Sequence, residues 1–276
     1  MRASVIIATY NNPAWLEKVL WGYEVQTYDN FEVLIADDGS GEDTLKVIER
    51  FKNNSHLRII HVWHEDKGYR KCQILNKAIA ASSSPYLIFT DGDCIPRADF
   101  VATHIQHAQK GFFLSGGAVR LPMRTSCTIS REDIIEGSAF DLHWLNANGH
   151  SKKLFKNLKL TSRPWIAKLM NIITPAKATW NGGNSSGWKE DILRINGFDE
   201  RMEYGGQDRE LGERLKNSGI RAKQIRYSAI CIHLDHSRSY KTNYSIRNNN
   251  WLRRYTRRYK SAWTSYGITK RVPSFA

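Results

Sequence analysis

The segment YLIFTDGDCIP, residues 86–96, contains two aspartates separated by one glycine. Its apolar run 87–89 predicts a buried strand, so Asp91 and Asp93 follow where that strand leaves the core. Two like charges at this spacing need a neutralising partner. Divalent cations such as Mg²⁺ or Mn²⁺ prefer oxygen ligands and leave positions for substrate phosphates. A solvated turn is the alternative, because Asp-Gly pairs are common in loops.

A histidine further along the chain could complete such a metal site. His233 follows the apolar run SAICI, and its imidazole is a common metal ligand. A lone histidine at a strand end more often has a structural role. His233 therefore supports a metal site only together with the two aspartates.

The elements expected to position these groups alternate between strand and helix over the first hundred residues. The runs SVIIAT, FEVLIA, LRIIHVW and PYLIFT predict strands, and amphipathic segments between them predict helices. This order predicts a parallel sheet covered by helices, in which ligands bind beyond the carboxyl ends of the strands. Polar clusters follow three of these strands, TYNN, DDGS and DGD, so the sequence predicts a site at this edge.

The charge balance narrows the choice of partners. The 276 residues include 41 Lys and Arg against 27 Asp and Glu, a net charge of +14 that suits nucleic acid, phosphorylated substrates or an acidic membrane face. Four scattered cysteines without a CxxC pair argue against a thiolate zinc site. Apolar runs are too short for a signal peptide or a membrane span, so a cytoplasmic location is expected.

The last part of the chain, 241–276, predicts a basic aromatic helical extension. Aromatic residues recur at every fourth position, at Trp251, Tyr255, Tyr259 and Trp263, with arginines beside them. Such a stripe suits a helix that lies on a membrane, so peripheral contact of 251–266 with the acidic inner face of the cell membrane is one hypothesis. Packing of the stripe on the core of the protein is the other.

Taken together, the motifs resemble family 2 glycosyltransferases with the GT-A fold. The resemblance covers roughly residues 3 to 235, and it rests on an ordered series: VIIATYNN, VLIADDGS, GYRKCQILNKAI, YLIFTDGDCIP, NGGNSSGWKEDILRINGFDE, GGQDRELGERL and CIH. It is similar in particular to the branch with bacterial chondroitin-polymerase-type modules and a galactosyltransferase-like C-terminal half. The resemblance implies an α/β, Rossmann-like, mostly parallel sheet flanked by helices.

The same resemblance implies a domain plan and a metal site. Residues 1–240 would form one GT-A domain, with a nucleotide-binding half at 1–100 and a sugar and acceptor half at 101–240. Asp91 and Asp93 would be the DxD motif that holds Mn²⁺ or Mg²⁺ on a nucleotide-sugar. Asp93 would be the direct ligand, Asp91 would lie nearer the ribose or sugar, and His233 would complete the metal shell.

The resemblance also assigns residues to the nucleotide-sugar. Asp38 would accept the uracil N–H, and Arg70, ahead of Lys71, would contact the base or the phosphates. The other implied donor contacts are Thr9, Tyr10, Asp37, Trp180, Asn181, Gly182, Gly183 and Gln207. An Asx-type turn that caps the next helix also explains DDGS, and it is compatible with nucleotide binding.

A base for the transfer is expected in GGQDRELGERL. Asp208 occupies the position of the family's catalytic base, and Glu210 is the alternative. Gln207 replaces the glutamate of the related Gly-Gly-Glu-Asp motif, which changes how hydroxyl groups would be held. The start of a surface helix would show a similar pattern, because a helix dipole favours carboxylates there.

The function expected is a metal-dependent, inverting transfer from a nucleotide-sugar, expected to be a UDP-sugar. The acceptor would be a cell-surface glycan or a lipid-linked molecule such as a lipopolysaccharide or capsule precursor. The alternative is a basic nucleic-acid-binding module without catalytic activity. No nucleic-acid partner is expected, because the basic residues are spread out and no known recognition motif occurs. A nucleotidyltransferase is disfavoured, since no basic phosphate-binding loop follows the first strand.

Overall fold

The computed structural model describes residues 1–150, 157–160, 163–237 and 240–270. The strands within these ranges are β1 Ala3–Thr9, β2 Phe31–Asp37, β3 Ile59–Trp63, β4 Tyr86–Asp91, β5 Cys94–Pro96, β6 Phe112–Ser115, β7 Gly117–Arg120, β8 Ser185–Trp188, β9 Arg221–Gln224 and β10 Ile230–His233. The helices are α1 Pro13–Glu24, α2 Glu42–Asn54, α3 Lys71–Ala81, α4 Phe100–His107, α5 Met123–Thr128, α6 Arg131–Ile135, α7 Leu142–Ala147, α8 Pro164–Ile173, α9 Lys189–Arg194, α10 Gln207–Asn217 and α11 Asn243–Arg258.

The central sheet has the strand order β3-β2-β1-β4-β8-β6-β9. The first four of these strands are parallel, as their alternation with helices predicts. The sequence did not predict β8, which runs antiparallel between β4 and β6. The expected α/β architecture with a mostly parallel sheet is confirmed.

Strands β1, β2 and β4 are buried on both faces, which explains why they are continuous apolar runs. Alternate side chains of β1 point to opposite sides, so Val5 and Ile7 join one core cluster, while Ile6 and Ala8 join the other. The polar segments after β1 and β2 meet at the carboxyl edge, where Asn11 Oδ1 accepts a hydrogen bond from the Gly41 N–H at 2.9 Å.

A smaller sheet with the order β5-β10-β7 packs beside the central one. The sequence predicts a single strand with a glycine bend for FFLSGGAVRL. In the structure the chain instead crosses from the central sheet to the smaller one between β6 and β7. A Cβ atom on Gly117 would lie 2.0 Å from the Arg226 carbonyl oxygen, so only glycine fits this crossing.

Helix α11 packs on the domain through a face that is not aromatic. Leu252 is buried in the core, and the Thr256 hydroxyl donates to Glu210 Oε1 at 2.9 Å. The aromatic residues face solvent: Trp251, Tyr255 and Tyr259. The hypothesis that the stripe packs on the core is therefore wrong for these three residues. The helix ends at Arg258, so Trp263 lies beyond it, and residues 271–276 of the predicted extension lie outside the described residues.

Across the described ranges, every helix is too short or too polar to cross a bilayer.

Candidate active site

The DGD turn leaves the carboxyl end of β4 in the middle of the central sheet. Asp91 is the last residue of the strand, and the Gly92 N–H donates to the Ala8 carbonyl at 2.7 Å. A Cβ atom on Gly92 would lie 3.0 Å from Thr9 Oγ1, so a glycine here lets the turn close against β1. The side chains of the two aspartates point in different directions from this turn and contact different partners.

Asp93 faces two histidines from the end of β10. Antiparallel pairing of β5 with β10 sets Cys94 opposite His233, whose Nε2 lies 3.9 Å from Asp93 Oδ2. His236 Nε2 lies closer, at 3.0 Å from the same oxygen, and its ring stacks on that of His233. The sequence interpretation missed His236, although its spacing of three residues from His233 was a usable signal.

Several influences act on the Asp93 carboxyl and its neighbour. Burial alone would raise the pKa of Asp93, but the hydrogen bond from His236 and the charges of His233 and His236 outweigh it, so the pKa lies below its ordinary value. Contact with Cys231 and burial raise the pKa of the Cys94 thiol well above its ordinary value. A thiolate is a soft ligand, so Cys94 fits Mg²⁺ or Mn²⁺ poorly despite lying within reach.

The chemistry of this donor set fits a divalent cation. Ligand atoms of Asp93, Cys94 and His233 lie within 4.8 Å of one another. Carboxylate oxygens suit both Mg²⁺ and Mn²⁺, whereas an imidazole nitrogen suits transition metals, so the Asp93 and His233 pair fits Mn²⁺ better. Asp91 is not part of this group.

Asp91 is paired instead with a lysine. Lys71 Nζ, at the start of α3, lies 2.5 Å from Asp91 Oδ1, and only 17% of the lysine side chain is exposed. Burial alone would lower the pKa of Lys71, but the charges of Asp91 and Asp208 outweigh it and hold the pKa well above its ordinary value. Lys71 therefore stays cationic, paired with Asp91 and near enough to Asp208 to feel its charge.

Arg70 points away from these carboxylates. Its guanidinium donates to Gln73 Oε1 at 3.1 Å and to the Glu65 carbonyl. The structure thus places Lys71, the less favoured of the two in the sequence interpretation, against the DGD turn. Consecutive residues at the start of a helix point about 100° apart around its axis, and the sequence does not reveal which direction faces the site.

Asp208 lies in the first turn of α10, after two glycines in the left-handed region. Gly205 and Gly206 have φ angles of 111° and 98°, which side chains other than glycine rarely adopt. Asp208 Oδ1 is buried and has no hydrogen-bond partner among the described residues. Burial raises the pKa of Asp208, and the charge of Asp91 adds to this effect while that of Lys71 opposes it. This is the environment of a carboxylate able to accept a proton.

Two consecutive glycines touch the two carboxylates from one side. A Cβ atom on Gly182 would lie 2.9 Å from Asp208 Oδ1, and one on Gly183 would lie 3.3 Å from Asp91 Oδ2. The neighbouring Asn181 holds this turn, since its side-chain amide donates to the Asn184 carbonyl at 3.0 Å. The NGG segment therefore borders the space shared by both aspartates.

Gln207 supports the glycine loop rather than extending into solvent. Its Oε1 accepts from the Gly205 N–H at 2.9 Å, and its Nε2 donates to the Tyr69 hydroxyl at 3.2 Å. Glutamine can do both because its amide carries an acceptor and a donor, whereas an ionised glutamate carries only acceptors.

Two residues expected in the site lie away from it. Glu210 is buried in an ion pair with Arg214, whose Nε donates to its carboxylate oxygens at 2.8 and 2.9 Å. Trp180 is fully buried in the core between Phe89 and Phe113, so its ring presents no surface to a ligand. The site proposed below therefore includes neither Glu210 nor Trp180.

The residues expected to contact the nucleotide base surround the carboxyl ends of β1 and β2. Asp38 accepts from His64 Nε2 at 2.7 Å and from the Arg70 N–H at 2.9 Å, and burial raises its pKa although both bonds oppose this. The Tyr10 hydroxyl donates to Asp66 at 2.8 Å, while about half of its ring stays exposed.

Asp37 has a structural role at the same edge. Its Oδ1 accepts from the Ser40 N–H at 2.8 Å, and its Oδ2 contacts His61 Nε2 at 3.0 Å. The turn expected for DDGS is therefore present. The helix cap is not, because α2 begins after Gly41 without a side-chain cap.

Comparison with known proteins assigns the chain to a family. Residues 4–164, more than half of the chain, match the description Glycosyl transferase family 2. The chain belongs to glycosyl transferase family 2. Residues 171–237 match a second description, the N-terminal domain of galactosyltransferase, which confirms the expected galactosyltransferase-like C-terminal half.

Two relatives of this family 2 chain have informative names. Validoxylamine A glucosyltransferase of Streptomyces hygroscopicus subsp. jinggangensis (strain 5008) is 30% identical over 258 residues, covering 88% of this chain and 57% of that protein. Chondroitin synthase of Escherichia coli is 24% identical over 241 residues, covering 80% of this chain and 33% of that protein. The chain thus spans little more than half of the length of the glucosyltransferase and about a third of that of the chondroitin synthase.

Solved structures agree on the fold. A mannosyltransferase from Pyrobaculum calidifontis in complex with GDP-Man and Mn²⁺ has a TM-score of 0.56 and 19% identity, covering 87% of this chain and 58% of that one. TarS 1–349 of S. aureus in complex with UDP has a TM-score of 0.56 and 17% identity, covering 85% and 61%. The likeness confirms the GT-A fold, and family membership favours the glycosyltransferase hypothesis over a nucleic-acid-binding module.

Proposed function

We propose that this chain transfers a sugar from a nucleotide-sugar to a hydroxyl group of a glycan or a lipid-linked acceptor. The main support is the pair of glycines Gly182 and Gly183, which touch Asp208 and Asp91 respectively. Asp208, the candidate base, and Asp91, the candidate donor-side carboxylate, thus border one space at the carboxyl edge of a GT-A sheet, where ligands of such sheets bind.

Asp208 is the proposed base of an inverting reaction. Its unpartnered oxygen would take the proton of the acceptor hydroxyl as the acceptor oxygen bonds to the anomeric carbon. The bond between that carbon and the diphosphate oxygen breaks at the same time, and the nucleoside diphosphate leaves. Displacement on the opposite face inverts the configuration. Glu210 takes no part, since Arg214 already pairs with it.

The proposed metal is Mn²⁺, with Mg²⁺ as the second choice. Asp93 and His233 would hold it, and His236 lies close enough to orient Asp93. When bound, a divalent cation supplies Lewis-acid stabilisation of negative charge on the leaving diphosphate. Asp91 and Lys71 would then face the donor sugar and its phosphates.

For the donor we retain a UDP-sugar as the hypothesis. The buried Asp38 would accept the N–H of the base, with Thr9 and Tyr10 beside it. The solved neighbours hold UDP in one case and GDP-Man in the other, so both nucleotides belong in the test. The acceptor remains a proposal from charge: +14 suits an acidic glycan or a lipid-linked lipopolysaccharide or capsule precursor.

Thermal unfolding with UDP, GDP and CMP, each with and without Mn²⁺, tests this function. Ligands that bind only the folded state raise the melting temperature with concentration. We expect a Mn²⁺-dependent rise with UDP that is lost in Asp93→Asn and retained in Asp43→Asn, a matched change on an exposed helix start. No rise with any nucleotide would contradict the proposal. The anomeric configuration of the product, determined by NMR, then tests inversion.

A further inference from the structure

Helix α11 presents a ridge of aromatic side chains to solvent. Tyr244, Trp251 and Tyr255 are 72%, 60% and 49% exposed, and the ring of Trp251 stacks on that of Tyr255. At 3.6 residues per turn, positions 244, 251 and 255 fall in one row along the helix. Large aromatic side chains gathered on one exposed row usually mark a contact surface.

A row of arginines runs beside this ridge. Arg247, Arg254 and Arg258 are exposed and share the spacing of the aromatic row, three residues further along the chain. The helix contains no acidic residue between 243 and 258. Arg253, by contrast, turns inward and donates to Glu213 at 2.6 Å. The outer surface of α11 is therefore aromatic on one side and basic on the other.

We infer that this surface docks the protein on an anionic lipid bilayer, with the aromatic ridge at the level of the headgroups. Trp and Tyr favour this region because their rings are apolar and their polar tips are wet. Exposed arginines beside them gain from the negative surface potential of anionic lipids. A protein partner would not need this row of cationic side chains. A single-stranded nucleic acid stacks its bases on free aromatic faces, whereas Trp251 and Tyr255 already stack on each other.

The opposite face of the same helix holds the loop before Asp208. The Asn249 side-chain amide donates to the carbonyls of Glu203 and Gly205 at 2.9 and 3.2 Å. Docking through α11 would thus place the Gly205–Gly206 loop about one helix width, roughly 10 Å, from the lipid surface. This consequence rests on the proposed function and suits a lipid-linked acceptor, whereas the docking itself does not depend on it.

Co-sedimentation with vesicles, in the absence of nucleotide, tests the docking surface separately from catalysis. Vesicles are made of phosphatidylcholine alone or with phosphatidylglycerol, and two variants disrupt the two rows: Trp251→Ala with Tyr255→Ala, and Arg254→Gln with Arg258→Gln. The matched control is Trp165→Ala with Ile172→Ala, which removes two apolar residues of α8 that are 63% and 73% exposed. Melting temperatures show that each variant is folded.

We expect tight binding only to the anionic vesicles and a loss of about tenfold or more in affinity for each of the two α11 variants. The α8 control should bind as the wild type does. Equal binding to both vesicle types, or loss only in the α8 control, would overturn the inference. Self-association that is lost in the aromatic variant, without any vesicle binding, would overturn it too, because a second copy of the chain would then cover the ridge.

Discussion

Replacing Lys71 by methionine tests whether the carboxylates of the candidate site, Asp91 and Asp208, need a cation beside them. Lys71 Nζ lies 2.5 Å from Asp91 Oδ1, with 17% and 26% of the two side chains exposed. Breaking a buried ion pair costs about 3–5 kcal/mol and an exposed one about 0–1 kcal/mol. This pair lies nearer the buried limit, so we expect Lys71→Met to lower the free energy of unfolding by about 2–3 kcal/mol.

The loss should be visible as a lower melting temperature and should depend on pH. For a chain of this size, about 2–3 kcal/mol corresponds to a fall of roughly 4–12 °C. Burial already raises the pKa of Asp208, and Lys71 opposes that rise, so the variant should raise it further. A carboxyl with a raised pKa in the folded state destabilises that state as the pH increases from the unfolded value, about 3.9, through the folded value. The gap to wild type should therefore be wider at about pH 8 than at about pH 5.

A double-mutant cycle with Asp91→Asn identifies the pair as the cause. Removing both charges should restore most of the stability, with a coupling free energy of about 1–3 kcal/mol. Lys67→Met is the matched control, because Lys67 pairs with Glu65 on the surface with 64% of its side chain exposed. Strictly additive effects, or a Lys71→Met protein that melts with the control at both pH values, would refute this reasoning.

Three other substitutions distinguish residues proposed to act in the transfer from residues that stabilise the fold or position the loop. Asp208→Asn should slow sugar transfer by about 10²–10⁴ without lowering the melting temperature, because it removes the proposed base and a buried charge. Nucleotide release and calorimetry measure the two effects, and an active variant would exclude Asp208 as the base. Glu210→Gln should lower the free energy of unfolding in urea by about 3–5 kcal/mol, because Arg214 loses its buried partner, while the rate per folded molecule stays unchanged; a slow but stable variant would reverse these roles. Asn249→Ala should lower kcat about tenfold with little change in KM for the donor, because the Gly205 loop loses its hydrogen bond; a change confined to stability would make Asn249 merely structural.

Local patterns in the sequence were enough to predict the first half of the fold. Apolar runs of strand length, each followed by an amphipathic segment, lead directly to four parallel strands, because both faces of such strands are buried. Polar side chains at the strand ends could likewise be predicted to meet, since parallel strands end at the same edge. The positions of Asp91, Asp93 and Asp208 in that edge follow from these patterns together with the resemblance.

Contacts between distant parts of the chain decided the rest. The strand β8 is short and polar, with the sequence SSGW, and it becomes a strand only because β4 and β6 pair with it. The burial of Trp180 and the pairing of Lys71 with Asp91 also depend on elements far away in the chain. The sequence around either residue does not indicate which way its side chain points. The sequence by itself determined which residues could do chemistry. Only the tertiary structure decided their partners: His236 faces Asp93, Lys71 pairs with Asp91, and Arg214 forms an ion pair with Glu210. The physical reason is that burial and pairing depend on elements far apart in the chain.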